Sequence, residues 1–329
     1  MELTTLWFML IAVLWMGYFV LEGFDFGVGI LMPVIARDDR ERRVIINTIG
    51  PLWDGNEVWL VTFGGALFAA FPAAYATTFS AFYLPFMLLL VALIYRAASL
   101  EFRSKVTSRA WRTMWDLTFM GASALAPLLM GTAVGNALAG LPIDERGVFR
   151  GTTADLLQPY PLAVGVLAAT MFAMHGAIYL YLKTEGELHE RLKGTMWTAF
   201  GIFLVTYIGV TMATLVLHPH ALRNFEDMPA LWALVALNVL AIANIPRAIH
   251  LGRPRYAFLS SSATIVALVV LFGAALFPNL VTSTLDPAYH LTIRNASSSE
   301  STLRLMGWIA LLGMPMVLTY TGIVYWTFR

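Results

Sequence analysis

Residues 6–35 read LWFMLIAVLWMGYFVLEGFDFGVGILMPVI, an apolar run that carries only two charged side chains, Glu22 and Asp25. A helix needs about 20 mainly apolar residues to cross the hydrocarbon core of a bilayer. The residues do not alternate between apolar and polar as they would in a strand of a membrane barrel. No basic region precedes the run, because the first cation is Arg37, so a cleaved signal peptide is not expected. The stretch therefore predicts a permanent membrane-spanning helix.

Eight further apolar runs follow, so that nine spans are predicted in all. They cover approximately residues 46–72, 78–98, 117–139, 160–182, 196–217, 229–249, 257–280 and 305–327. The second run is the least regular, because Asp54 and Glu57 lie near its start and Pro51 should bend it. The composition agrees with a membrane protein, since 59% of the residues are apolar and only 12% are charged. We expect an all-α, polytopic membrane protein with residues 1–329 in one membrane domain.

Lysine and arginine are unevenly distributed among the connections between these runs. The odd-numbered connections hold most of them, beginning with the segment RDDRERR at 37–43, and the even-numbered connections hold few. Short cytoplasmic loops are enriched in these residues. The pattern predicts an N-terminus outside the membrane and a cytoplasmic C-terminus.

Charge and cysteine content exclude several classes of function. The net charge is +1, which gives no field for binding nucleic acid. The chain has no cysteine, which excludes disulfides, iron–sulfur clusters, thiolate metal sites and covalently attached c-type haem.

Two pairs of carboxylates lie in the first two predicted spans. Glu22 and Asp25 form one pair and Asp54 and Glu57 the other, each at a spacing that places both members on one helix face. A charge at the centre of a membrane helix costs about 2.5–3.5 kcal/mol, and no cation is apparent near either pair in sequence. Some of these groups should therefore carry protons, which favours a role in proton transfer. The alternative is that they cap helix ends in the headgroup region, especially Asp54 and Glu57.

Histidine limits the redox cofactors that the chain could ligate. Of six histidines only His175 lies within a predicted span, so a haem held by two intramembrane histidines is not expected, and no metal site is predicted. His175 could supply one axial ligand or a structural hydrogen bond. Glycines 23, 27, 29, 55, 64 and 65 lie near the acidic pairs, where bare backbone permits close helix packing.

Several motifs occur in the same order as in one family of respiratory proteins. They are GFDFGVG (23–29), RDDRERR (37–43), WDGNEVWL (53–60), TFGGALFAAFP (62–72), FRSK (102–105), WRTMWD (111–116), GTAVGN (131–136) and GELHER (186–191). Through residue 190 the chain resembles subunit II of cytochrome bd-type quinol oxidases. Beyond that point the likeness is mainly one of hydropathy.

The resemblance implies two four-helix bundles, at 1–140 and 156–281, and a peripheral helix at 305–327. It implies an oxidoreductase complex of the bacterial cytoplasmic membrane that oxidises membrane quinol and reduces dioxygen to water. Subunit I would be the partner and would ligate haem b and haem d, while this chain would ligate no cofactor. A bound quinone and small accessory subunits are further candidates.

Site roles also follow from the resemblance. Asp54 is similar to the family's proton-path carboxylate, and Asp25 and Glu22 match an acidic pair on the same or a second path, with Glu57 beside Asp54. Trp59 resembles a tryptophan on an oxygen route. Two further residues are candidates for contact with the partner's haem or the oxygen route, namely Trp53 and Asn56.

Two other classes of protein also place carboxylates within a membrane. A secondary transporter would couple ions to a substrate through them, but such proteins often repeat their broken helices in both halves, whereas here the acidic residues all lie in the first quarter. A structural scaffold would pair them with arginines of a partner chain.

Overall fold

The structure is a computed structural model that describes residues 2–328, and helices dominate it. The helices are α1 (Leu3–Ile35), α2 (Asp39–Ile49), α3 (Trp53–Ala70), α4 (Pro72–Ala81), α5 (Tyr83–Phe102), α6 (Arg109–Ala139), α7 (Pro159–Lys183), α8 (Gly186–Leu217), α9 (Arg223–Asp227), α10 (Trp232–His250), α11 (Pro254–Leu276) and α12 (Glu300–Thr327). Two short antiparallel strands, β1 (Asn279–Val281) and β2 (Leu291–Thr292), lie between α11 and α12. The predicted all-α class is confirmed.

Within residues 2–328, eight helices are long and apolar enough to cross a membrane. They are α1, α5, α6, α7, α8, α10, α11 and α12. The prediction of one continuous span at 46–72 was wrong, because the helix is interrupted at residues 50–52. Pro51 lies at this break, where its missing amide and its ring disfavour helix continuation. The amphipathic segment α2 is thereby separated from the 18-residue helix α3.

The predicted third span, 78–98, is also displaced. Its first residues belong to α4, and α5 begins only at Tyr83. Pro72 lies in the first turn of α4, where a proline needs no amide donor, and Pro85 lies in the first turn of α5. Residues 53–102 therefore form three successive helices, α3, α4 and α5.

Helix α1 lies at the centre of the fold. It packs against α3, α6, α7 and α11, and its largest buried aromatic side chains include Tyr18, Phe24 and Phe26. Gly27 of α1 faces Gly176 of α7 so closely that a Cβ atom on either would clash with the other backbone. Gly23 packs against the ring of Phe172. Close helix packing is thus confirmed for these glycines of α1.

The orientation of the chain remains a prediction and can be tested directly. A reporter that is active only in the cytoplasm should give signal when fused after Arg329, because the C-terminus is predicted to be cytoplasmic. The same reporter inserted in the 281–304 connection should give none. The reverse pattern would contradict the predicted orientation and with it the side from which protons could enter.

Candidate proton-transfer site

The two acidic residues of α1 are enclosed by protein. Glu22 and Asp25 are both 0% exposed, and they lie one helical turn apart on the face of α1 that meets α3 and α5. Asp54 and Glu57 lie in the first two turns of α3. The structure therefore brings Glu22, Asp25 and Glu57 together.

A buried arginine completes this cluster. Arg96 of α5 is 1% exposed and forms an ion pair with Glu22. Its Nη1 donates a hydrogen bond to Oε2 of Glu57 at 3.1 Å, and its Cζ lies 4.5 Å from the centroid of the Phe26 ring. The expectation that no cation lies near the carboxylates was therefore wrong. Arg96 lies near the end of the third apolar run, where a cation is equally typical of the following connection; the signal that could have identified it is its apolar surroundings, LLLVALIYRAASL at 88–100.

Asn56 connects α3 to α1 and to α12. Its Nδ2 donates to Oδ2 of Asp25 at 2.7 Å and to the carbonyl oxygen of Leu21 at 3.1 Å. The hydroxyl of Tyr325 in α12 donates to Oδ1 of Asn56 at 2.9 Å. Asn56 is thus part of the carboxylate site, and Tyr325 is a further member that no pattern in the sequence identifies.

The remaining predicted residues of α3 lie outside the enclosed cluster. Asp54 is exposed on the chain's own surface, and Trp53 is half-buried. Trp59 is buried and packs its ring against Gly17 of α1. The structure therefore separates Asp54, at the surface, from Asp25, in the interior, with Glu57 lying between them as a partly exposed member of the cluster.

Charge within the cluster is unbalanced. One guanidinium faces three carboxyl groups that lie close enough to interact electrostatically. Within residues 2–328 these carboxyl groups receive hydrogen bonds or ion pairs from Arg96 and Asn56. Because an uncompensated charge in a region of low dielectric costs several kcal/mol, full ionisation of all three groups is strongly disfavoured. The arrangement is suited to holding and exchanging protons.

A family model for cytochrome bd terminal oxidase subunit II matches residues 3–328. The chain belongs to this family. Cytochrome bd-I ubiquinol oxidase subunit 2 of Escherichia coli (strain K12) is 37% identical over 351 aligned positions, which cover 98% of this chain and 93% of the relative. Cytochrome bd ubiquinol oxidase subunit 2 of Bacillus subtilis (strain 168) is 35% identical, with 100% of this chain and 96% of the relative covered.

A solved structure supports the fold. A chain of the bd oxidase from Geobacillus thermodenitrificans superposes with a TM-score of 0.82 and covers 100% of this chain and 99% of its own length. The sequence identity is 17%, so this likeness concerns the fold alone. The expected family and the all-α, multi-pass class of membrane protein are confirmed, and the subunit II chain described here is part of a quinol oxidase complex, an oxidoreductase.

A bd-type oxidase contains haem, and the histidines of this subunit II chain do not fit a haem held by two histidines. His175 is fully buried; its Nδ1 lies 2.7 Å from Oγ of Ser261, and its Nε2 lies 3.1 Å from the carbonyl oxygen of Val20. Both ring nitrogens therefore have hydrogen-bonding partners, which favours the structural interpretation of His175. No group of three or more potential metal ligands occurs within residues 2–328.

Two apolar cavities lie elsewhere in the subunit II fold. The larger has a volume of about 380 Å³ and is lined mainly by α1, α3, α5, α6 and α11, with Trp15, Phe63 and Phe86 among its lining residues. The smaller, about 240 Å³, shares Trp15 with it and continues toward α7 and α8. Trp59 lines neither cavity, so its role on an oxygen route remains a prediction. Because the side chains that line both cavities are mainly apolar, the cavities would accommodate apolar molecules and are poor candidates for the proton path.

A second set of ion pairs fixes the C-terminal end of α5. Arg103 is 2% exposed; its Nε donates to Oδ1 of Asp116 at 2.5 Å, and its Nη2 donates to Oδ1 of Asp39 at 2.8 Å. Arg42 and Arg112 complete the set through Asp116 and Asp39 respectively. These contacts join α2 to α6 and to the end of α5.

Nearby, helix α2 is also tied to α8. The Nη2 atom of Arg191 donates to both carboxylate oxygens of Glu41 at 2.7 Å. These hydrogen bonds, together with one from the backbone of Arg37, lower the pKa of Glu41. Glu41 is therefore ionised at neutral pH and holds α2 against the start of α8.

Proposed function

We propose that this chain acts as subunit II of a complex that oxidises membrane quinol and reduces dioxygen to water, and that its buried carboxylates conduct protons for that reaction. The observation that carries the proposal is the enclosure of Glu22, Asp25 and Glu57 around a single arginine, Arg96. The ubiquinol oxidase subunits named among its relatives support the reaction. The complex would reside in the bacterial cytoplasmic membrane.

The reaction creates the need for such a path. Reduction of dioxygen to water consumes one proton for every electron, and a membrane interior does not supply protons without titratable groups. Carboxyl groups exchange protons readily when their environment does not fix their charge. We propose that Asp54 receives protons at the chain surface and that Glu57 passes them to Glu22 and Asp25. Arg96 would hold the negative charge that remains after each transfer.

A partner subunit is needed for this function. The chain offers no pair of intramembrane histidines, so we propose that subunit I ligates the b-type and d-type haems and carries out the redox steps. Asp54 lies on the exposed face of α3, together with Val58, Val61 and the open backbone of Gly65. A carboxylate facing lipid would be costly, so covering this face with subunit I would complete the path.

Replacement of Asp54 by asparagine tests the proposed entry point. Asparagine keeps the size of the side chain and cannot ionise. We expect Asp54→Asn to leave the haem content of the purified complex unchanged and to slow quinol-dependent oxygen consumption per haem about 10–100-fold, as loss of a proton-transfer group typically does. Both quantities are to be measured on the same sample.

Glu101→Gln provides the control, because Glu101 is an exposed carboxylate at the end of α5 that contacts none of the cluster. It should leave turnover unchanged. If Asp54 instead pairs with a cation of subunit I, Asp54→Asn should lower haem content by preventing assembly. Full haem content with undiminished turnover would show that Asp54 has neither role.

A further inference from the structure

The hydroxyl of Tyr325 connects the last helix to the carboxylate cluster. It donates a hydrogen bond of 2.9 Å to Oδ1 of Asn56, whose Nδ2 in turn donates to Asp25 at 2.7 Å. We propose that Tyr325 is a positioning residue, which fixes the amide of Asn56 so that its N–H group faces Asp25 throughout the proton-transfer cycle. The inference rests on the proposed role of Asp25 and deepens it.

A positioning residue is needed because the C=O and NH2 ends of an amide side chain have nearly the same shape, so that the group can turn over unless its hydrogen bonds hold it. When Asp25 is ionised, it accepts only, and it holds Nδ2 of Asn56 in place by itself. When Asp25 takes up a proton, its own hydroxyl could donate to Oδ1 if the amide turned over. That alternative hydrogen bond would retain the proton. The Tyr325 hydroxyl donates a hydrogen bond to Oδ1, and the second N–H group of Nδ2 donates to the carbonyl oxygen of Leu21. Both contacts would be lost if the amide turned over.

The other polar groups around Asp25 do not perform this function. Glu22 and Arg96 adjoin Asp25, and Glu57 contributes further negative charge, but the contact at Oδ1 of Asn56 is made by Tyr325. The hydroxyl of Tyr179, on α7, donates to the carbonyl oxygen of Thr48 at 2.6 Å and so is already engaged. The hydroxyl of Tyr18 on α1 is buried and has no hydrogen-bonding partner among residues 2–328. The contact with Oδ1 of Asn56 therefore comes from α12.

The test compares Tyr325→Phe, Asn56→Ala and the double variant in the complete, purified complex. Tyr325→Phe should retain full haem content and lower turnover per haem about fivefold, the effect of one hydrogen bond. The double variant should turn over no more slowly than Asn56→Ala alone, because Tyr325 acts through Asn56. In infrared difference spectra, the carboxylic C=O band that Asp25→Asn removes should move to higher frequency in Tyr325→Phe, because that carbonyl loses the N–H donor.

Tyr320→Phe is the matched control. It removes a hydroxyl from the same helix, and Tyr320 is 59% exposed with no hydrogen bond to the cluster described in residues 2–328. It should change neither turnover nor the band.

Three outcomes distinguish failure of the positioning role of Tyr325 from failure of the proposed proton path. Loss of haem content in Tyr325→Phe with normal turnover per haem, or strict additivity with Asn56→Ala, would overturn the positioning role and leave a structural tether. If Asp25→Asn slows turnover while Tyr325→Phe changes neither turnover nor the band, the inference fails and the proposed function stands. If Asp25→Asn turns over normally, the proposed proton path fails, and a shifted band in Tyr325→Phe would still support the positioning of Asn56.

Discussion

Replacement of Arg96 by methionine should prevent the complex from accumulating. Methionine retains an unbranched apolar chain in place of the aliphatic part of arginine but removes the guanidinium that faces Glu22 and Glu57. Breaking a buried ion pair by removing one partner typically costs about 3–5 kcal/mol, a large part of the stability of a protein. We expect at least a tenfold fall in haem-containing complex per milligram of membrane protein, measured from optical spectra of solubilised membranes.

Two further variants sharpen this prediction. Arg43→Met removes an arginine that is 59% exposed and pairs with Asp39 at 3.4 Å, and exposed pairs contribute about 0–1 kcal/mol, so haem content should be unchanged. Combining Arg96→Met with Glu22→Gln should restore part of the complex, because it removes one uncompensated charge. Normal accumulation of Arg96→Met alone would show that the carboxyl groups are neutral without it.

Gly65→Leu should abolish association with subunit I. Gly65 is exposed, and a Cβ atom there would meet no atom within 4 Å, so the chain itself tolerates a larger side chain at this position. The proposed partner face of α3 would not, because helices in lipid approach each other closely at small residues. With an affinity tag on this chain, recovery of subunit I should fall at least tenfold while the amount of the tagged chain in the membrane stays constant.

Gly209→Leu is the control for this prediction. Gly209 lies on α8, and a Cβ atom there would also meet nothing within 4 Å. We expect normal recovery of subunit I, since α8 lies away from α3. Equal recovery in both variants would place the interface elsewhere, and equal loss would indicate a general defect of insertion.

The parts of the fold that depend on local composition could be predicted from the sequence. Eight apolar runs corresponded to helices able to span a membrane, and the intramembrane position of Glu22 and Asp25 followed from the unbroken apolar run around them. The break before α3 was only partly predicted. Pro51 indicated a bend, but whether a proline bends or ends a helix depends on the packing around it.

The parts that depend on distant contacts could not be predicted. Arg96 closes an apolar run, a position that is equally compatible with a loop cation and with a buried ion pair. Its location became clear only when α5 was placed against α1. Tyr325 is separated by 269 positions from Asn56, and its sequence surroundings resemble those of any interfacial tyrosine. Gly55, Gly64 and Gly65 were predicted to permit close packing, yet within this chain they pack against little.

The attachment of α12 has a consequence for biogenesis. Its first turn accepts a hydrogen bond from Nε1 of Trp7 at the carbonyl oxygen of Leu303, and its last turns supply the hydroxyl of Tyr325 to Asn56. A ribosome delivers α1 and α3 to the membrane long before α12. During most of synthesis the Asn56 amide therefore lacks its hydrogen bond from Tyr325. Insertion of the last helix is the event that matures the site, so nascent chains arrested before α12 would hold the acidic residues without their final hydrogen-bond geometry.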